Sequence, residues 1–125
     1  MNKSLRFSLS LLILFAAVAH AGNVERGLFT TAVVDREPVD QVTEVSPEQT
    51  RITYFTELKD LAGHNVTHQW VYDDSIMFEK TFSVGGPRWR VWSSKNLLPE
   101  WKGTWVVNTL DDDRRVLMTQ SFVRN

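Results

Sequence analysis

The feature that most restricts the fold of this chain is an alternation of apolar and polar residues beyond Gly27. A stretch with this period of two predicts a strand that buries one face. The alternation recurs in seven stretches, and no stripe at helical spacing is sustained after residue 21. The predicted strands span residues 28–36, 51–58, 66–72, 77–84, 88–94, 104–110 and 115–123.

Turn residues separate these strands. Gly85-Gly86-Pro87 is the strongest such signal, whereas residues 37–50 and 95–103 predict longer connections between sheets. Short strands with turns about every 8–12 residues are typical of sandwiches. We therefore predict an all-β fold, an antiparallel β-sandwich of about seven strands, immunoglobulin-like. A flattened β-barrel is the alternative, since it uses the same local pattern.

The first 21 residues have the composition of a secretion signal. Lys3 and Arg6 precede an apolar run over residues 9–18, and Ala19-His20-Ala21 provides small side chains before Gly22. The run is shorter than the roughly 20 apolar residues that span a membrane. We predict a cleavable signal peptide, residues 1–21, and a single domain, residues 22–125. The protein is then exported, periplasmic or secreted, with no transmembrane anchor after cleavage.

Residues 22–125 contain 12 basic and 15 acidic residues, a net charge of −3 with histidine neutral. This balance argues against a nucleic-acid partner, which usually requires a strongly basic face. The chain has no cysteine, so disulfides cannot compensate for a thin core. Five Phe, five Trp and two Tyr remain after residue 21, and they predict an aromatic core instead.

Several short motifs occur in a recognisable order. They are Asp35-Arg36-Glu37-Pro38, Tyr54-Phe55-Thr56-Glu57-Leu58, His68-x-Trp70, Trp89-Arg90-Val91-x-Ser93-Ser94-Lys95 and Gly103-x-Trp105-x-Val107. In this order the chain resembles domain-of-unknown-function family 2914, from about Leu28 to Val123. The resemblance implies a small β-rich domain of exported or membrane-associated bacterial proteins. It implies no activity and transfers no catalytic residue.

The fifth predicted strand provides the best surface candidate for ligand binding. Arg88, Arg90 and Trp92 alternate and must project to one side, with Lys95 just beyond them. Cations beside an exposed tryptophan can bind a carboxylate, a phosphate or a sugar face. The alternative is a solvated face on which the arginine stems cover the tryptophan.

Three further residues are candidates for binding. His68 and Trp70 lie on the more apolar face of the third strand, where they are either hydrogen-bonded core residues or the mouth of a pocket. Trp101, on the connection after the fifth strand, is either a binding contact or a lid over the end of the sandwich. We expect no metal site, because His64 and His68 lack a third ligand, and no cofactor.

No catalytic constellation is identifiable. We therefore predict a non-catalytic binding or interaction module of the cell envelope, for a glycan, an anionic small molecule or a protein. One alternative is an envelope hydrolase with a carboxylate or histidine centre, such as Glu57 and His68. Another is a structural accessory domain that exposes an edge strand.

Overall fold

The computed structural model describes residues 22–125. The predicted signal peptide lies outside the described residues, so cleavage and export stay predictions. All the regular secondary structure assigned within residues 22–125 is β-strand. The strands are β1 (Asn23–Thr30), β2 (Val33–Val34), β3 (Glu37–Pro38), β4 (Glu44–Val45), β5 (Arg51–Lys59), β6 (Asn65–Tyr72), β7 (Ser75–Ser83), β8 (Arg88–Asn96), β9 (Gly103–Leu110) and β10 (Val116–Arg124).

Two main sheets contain these strands, and they pack face to face around a shared core. One has the order β1-β5-β8, the other has the order β4-β10-β9-β6-β7, and β2 and β3 form a separate small hairpin. All pairings are antiparallel except that of β4 with β10. None of the sheets formed by residues 22–125 closes on itself. The sandwich prediction is therefore confirmed, and the flattened barrel is not formed. No helix in this part of the chain is long and apolar enough to cross a membrane.

Six of the seven predicted strands agree with the structure to within two residues, and the first differs. Where the sequence predicts a strand over residues 28–36, β1 runs from Asn23 to Thr30. The chain then turns into the β2–β3 hairpin. Asp35 and Arg36 have φ of 52° and 64°, the left-handed conformation that a two-residue hairpin turn requires. Neither is a glycine, so the turn is not visible as a glycine signal.

The strand order is immunoglobulin-like with one exchange. In the constant-type arrangement, the fourth strand joins the sheet of the first, second and fifth. Here the fourth long strand, β7, pairs with the third, β6, in the opposite sheet. Consequently β7 and β8 are consecutive in the chain but belong to different sheets, joined by residues 84–87.

The core between the sheets is aromatic, as the composition predicts. Trp70 and Trp105 are fully buried, with ring centroids 6.5 Å apart, and Phe122 stacks on Trp105 at 6.2 Å. Offset and edge-to-face arrangements of this kind add about 0.5–1.5 kcal/mol per pair beyond the area they bury. The aromatic contacts therefore stabilise a domain that has no disulfide.

Along one side of the sandwich, two edge strands face each other. In the described part of the chain, β7 is paired with β6 alone and β8 with β5 alone. Side chains from both strands line the opening between them. We call this opening, lined mainly by residues 77–82 and 90–96, the β7–β8 seam.

Candidate functional site

A lysine on each edge strand points toward the interior of the sandwich at the seam. Lys80 on β7 is paired with the core residue His68, and directly paired residues share a face of the sheet. Because β7 is the last strand of its sheet, Lys80 still reaches solvent. Its ammonium nitrogen lies 5.5 Å from the ring centroid of Phe82.

The second lysine has the same arrangement on the opposite sheet. Lys95 on β8 is paired with Ile52, which is fully buried. Its ammonium nitrogen lies 4.8 Å from the ring centroid of Trp101. Within residues 22–125, neither Lys80 nor Lys95 forms an ion pair with an acidic side chain. Both cations therefore rest on aromatic faces, a contact worth about 0.5–1 kcal/mol at exposed sites.

Two shallow depressions follow each other along the seam. The first, of about 330 Å³, is lined by Lys80, Phe82, Arg90, Val91 and Trp92. The second, of about 220 Å³, is lined by Arg51, Met77, Phe78, Ser94, Lys95 and Asn96. The seam therefore combines half-buried aromatic rings with cations over the length of both strands.

The structure places Arg88 and Arg90 on one side of β8, as the alternation predicts, but both are paired with acids. Arg88 Nε donates to Glu57 Oε2 at 2.6 Å, and Arg90 Nη1 donates to Glu37 Oε2 at 2.7 Å. Arg26 bridges the same two carboxylates. Hydrogen bonds from Arg88, then from Arg26, outweigh the cost of burial and lower the pKa of Glu57 to about 2. Each of the two arginines is thus already hydrogen-bonded to a carboxylate, although three arginines share two carboxylates and the network keeps one net positive charge. A contact of Arg88 or Arg90 with an anionic ligand stays a prediction.

Trp92 lies beside this ion-pair network on the outer face of the β1-β5-β8 sheet. Its ring stacks on the fully buried Phe55 with centroids 6.3 Å apart, and the guanidinium of Arg26 lies 5.1 Å from the Phe55 centroid. Trp92 itself is half-buried and borders the first depression of the seam. It is thus available to a ligand at one edge, while its inner face supports the sheet.

His68 and Trp70 are fully buried, so the core interpretation applies and their candidate role at a pocket mouth is corrected. His68 Nδ1 and Nε2 lie 2.8 Å from Ser93 Oγ and 2.9 Å from Thr56 Oγ1, respectively. Trp70 Nε1 donates to Ser93 Oγ at 2.9 Å. Burial, together with the nearby charge of Lys80, lowers the pKa of His68 to about 3, so the ring is neutral at physiological pH.

Trp101 has features of both of its predicted roles. Its ring packs edge-on against Trp105, with centroids 5.7 Å apart, and thereby covers one end of the core. It remains half-buried and also carries Lys95 on its face. Trp101 is therefore a lid whose outer surface borders the seam.

Sequence reasoning missed Lys80 and its neighbours Phe78 and Phe82. The signal was present, because these three residues alternate along β7 and must therefore point to one side. A lysine between two phenylalanines on a core-facing edge is unusual, since lysine is rarely buried. The seam becomes visible once β7 and β8 are known to border each other from different sheets.

Glu57 and His68, the residues considered as a hydrolase centre, are both held in contacts with other side chains. Glu57 is held by two arginines, and His68 is sealed in the core with both nitrogens hydrogen-bonded. A general acid or base must reach its substrate within hydrogen-bond distance, and the buried His68 cannot. In the described part of the chain, no three His, Asp or Glu residues lie close enough to share a metal ion.

Fold and site together define a small immunoglobulin-like β-sandwich with a cationic, aromatic seam between two edge strands. Residues 63–123 match the model of a family described as "Protein of unknown function (DUF2914)". The resemblance is therefore confirmed for this segment, which contains β6 to β9, most of β10 and nearly the whole seam. The motifs at 35–38 and 54–58 lie outside it. No curated protein matches the chain significantly.

Proposed function

We propose that this domain is a non-catalytic binding module of the bacterial cell envelope that recognises its ligand at the β7–β8 seam. The observation that carries this proposal is the pair Lys80 and Lys95. Both are charged, point inward at an opening of the sandwich, and lie over aromatic rings without an acidic partner in residues 22–125.

Location in the envelope rests on the predicted signal peptide. A binding role is supported by the contrast between the two cationic regions of the protein. Each arginine of the outer face is bonded to Glu37 or Glu57, as expected of a structural network. The lysines of the seam have no such partner, and a cation that lies over a ring remains free to form a second contact with an anion.

Edge protection is the competing explanation of the two lysines. Inward-pointing charges on edge strands prevent the pairing of sheets from different molecules. That role alone does not require the half-buried rings of Trp92, Phe82 and Phe78 beside the lysines. We therefore treat edge protection as a second effect of the same residues.

Intrinsic tryptophan fluorescence tests the proposal directly, because Trp92 and Trp101 border the seam. The processed protein is titrated with a panel of envelope glycans and anionic metabolites. We expect a saturable change in emission for at least one class of ligand, and a smaller change in the double variant Lys80→Gln/Lys95→Gln. Lys59→Gln, at the exposed end of β5, is the matched control and should bind like the parent protein. Unchanged emission across the panel would refute recognition of these ligands at the seam.

A further inference from the structure

We infer that the seam binds a linear acidic polysaccharide, with Lys80 and Lys95 contacting two anionic groups of one chain. This inference rests on the proposed function and names its ligand class. The charge, length and edge structure of the seam favour this ligand over a small anion, a peptide and a neutral sugar.

Charge complementarity selects an anion. The described residues carry a net charge of −3, so an anionic ligand has no general attraction to this domain. The seam is a local exception, because Lys80 and Lys95 are not compensated there. Arg51 adds a further cation at the same end as Lys95, where its guanidinium is held by the neutral side chain of Asn96.

The length of the seam selects an extended ligand. Lys80 lies at the first depression, opposite residues 90–92, and Lys95 lies at the second, opposite Met77 and Phe78. At about 3.3 Å per strand residue, this separates the two lysines by about 10 Å along the seam. One carboxylate or phosphate therefore cannot contact both, whereas a polymer with repeated anionic groups can.

The edges of the seam argue against a peptide. An extended peptide binds such an edge by adding a strand through backbone hydrogen bonds. Here β7 carries an inward-pointing lysine and a bulge, since the register shifts between Trp70 and Val71 opposite Ile76–Phe78. Both features are known to block strand addition. The ligand must therefore bind through side chains.

The aromatic rings of the seam favour a sugar. The C–H face of a sugar ring is apolar and slightly positive, and it packs well on the negative face of an aromatic ring. Trp92 and Phe82 border the first depression, Phe78 borders the second, and all three are half-buried. A chain of acidic sugars thus matches both the rings and the lysines.

Oligogalacturonates of increasing length test this inference by calorimetry and tryptophan emission. We expect affinity to rise with length until one chain spans both lysines and then to level off. Each of Lys80→Gln and Lys95→Gln should weaken binding of the long oligomer by about tenfold, the typical effect of one charged contact. The double variant should reduce the slope of log K against log salt by about two. Lys80→Arg, which keeps the charge, should retain most of the affinity.

Two control ligands and the length series separate the inference from the proposed function. Maltohexaose, a neutral oligosaccharide, should bind far more weakly than the acidic oligomers. A poly-glutamate oligomer of similar charge that bound equally well, in a lysine-dependent manner, would overturn the glycan assignment and leave a binding module. Affinity that does not depend on length would overturn the two-lysine arrangement. If no oligomer bound while the panel of envelope glycans and anionic metabolites gave a lysine-dependent signal, the polysaccharide inference would fall and the binding module would remain.

Discussion

Acidification between pH 7 and pH 5 should destabilise this domain, and the cause should be His68. The ring is fully buried, and its pKa is lowered from 6.5 to about 3. In the unfolded chain the imidazole gains a proton as pH falls through 6.5, whereas in the folded protein it stays neutral. Stability from this residue is therefore complete above pH 6.5 and is lost progressively as pH falls toward 3.

The magnitude follows from the two pKa values. Between pH 7 and pH 5 the unfolded state is favoured by about 2 kcal/mol through protonation of His68 alone. For a domain of about 100 residues, this corresponds to a fall in melting temperature of roughly 10 °C. The acid whose pKa is most lowered, Glu57, loses its contribution between its ordinary value of 4.5 and about 2, which is below this range.

Urea unfolding of the processed protein at pH 7, 6 and 5 measures the effect. His68→Gln retains groups that can bond Ser93 and Thr56 but does not titrate, so its free energy of unfolding should be nearly independent of pH over this range. His64→Gln, on a side chain that is 53% exposed, is the matched control and should keep the acid loss. A parent protein that is equally stable at pH 7 and pH 5 would refute the reasoning, as would an unchanged slope in His68→Gln.

Three further changes test the core and the outer face. Trp70→Ala should lower the free energy of unfolding by about 3–5 kcal/mol in urea, because it empties the centre of the aromatic core; a loss below 1 kcal/mol would contradict this. Glu57→Gln should cost about 1–3 kcal/mol, since it leaves charged arginine donors without their acceptor, and it should flatten the acid limb below pH 4.5 in the same assay. Gly27→Ala should cost about 1–3 kcal/mol, because a Cβ would lie 2.7 Å from the Tyr54 hydroxyl. Gly86→Ala, where the nearest atom is 3.4 Å away, is its control and should melt near the parent temperature.

Local alternation of apolar and polar residues is sufficient to predict strands, because successive side chains of a half-buried strand face the core and the solvent in turn. It predicted residues 51–58 and 66–72, for example, within one residue of β5 and β6. It failed at Asp35 and Arg36, whose left-handed turn depends on the hairpin and not on a glycine. It also carried no information on which sheet each strand joins, and so it did not reveal that β7 and β8 border a common opening.

Because alternation is local information, it predicts the site residues only in part. Alternation placed Arg88 and Arg90 on one side of a strand, which the register confirms. Their carboxylate partners lie 31 and 53 residues away in the chain, so no local pattern could show that the two guanidinium groups are already bonded to acids. For the lysines of the seam, the sequence indicated Lys95 as a candidate but did not indicate Lys80. Their isolation from acids is a property of the folded protein.

The short link at residues 84–87 determines how the proposed polysaccharide would enter the seam. Because these four residues join β7 to β8, one end of the seam is covalently closed, with Gly85 packed against Trp89. The opposite end, near Asn96, has no such closure between the two strands. A long chain therefore cannot be threaded through from end to end, and must dock laterally or with a free terminus. Lengthening this link would move the closure away from the seam and leave room for a laterally docked chain to continue past both of its ends.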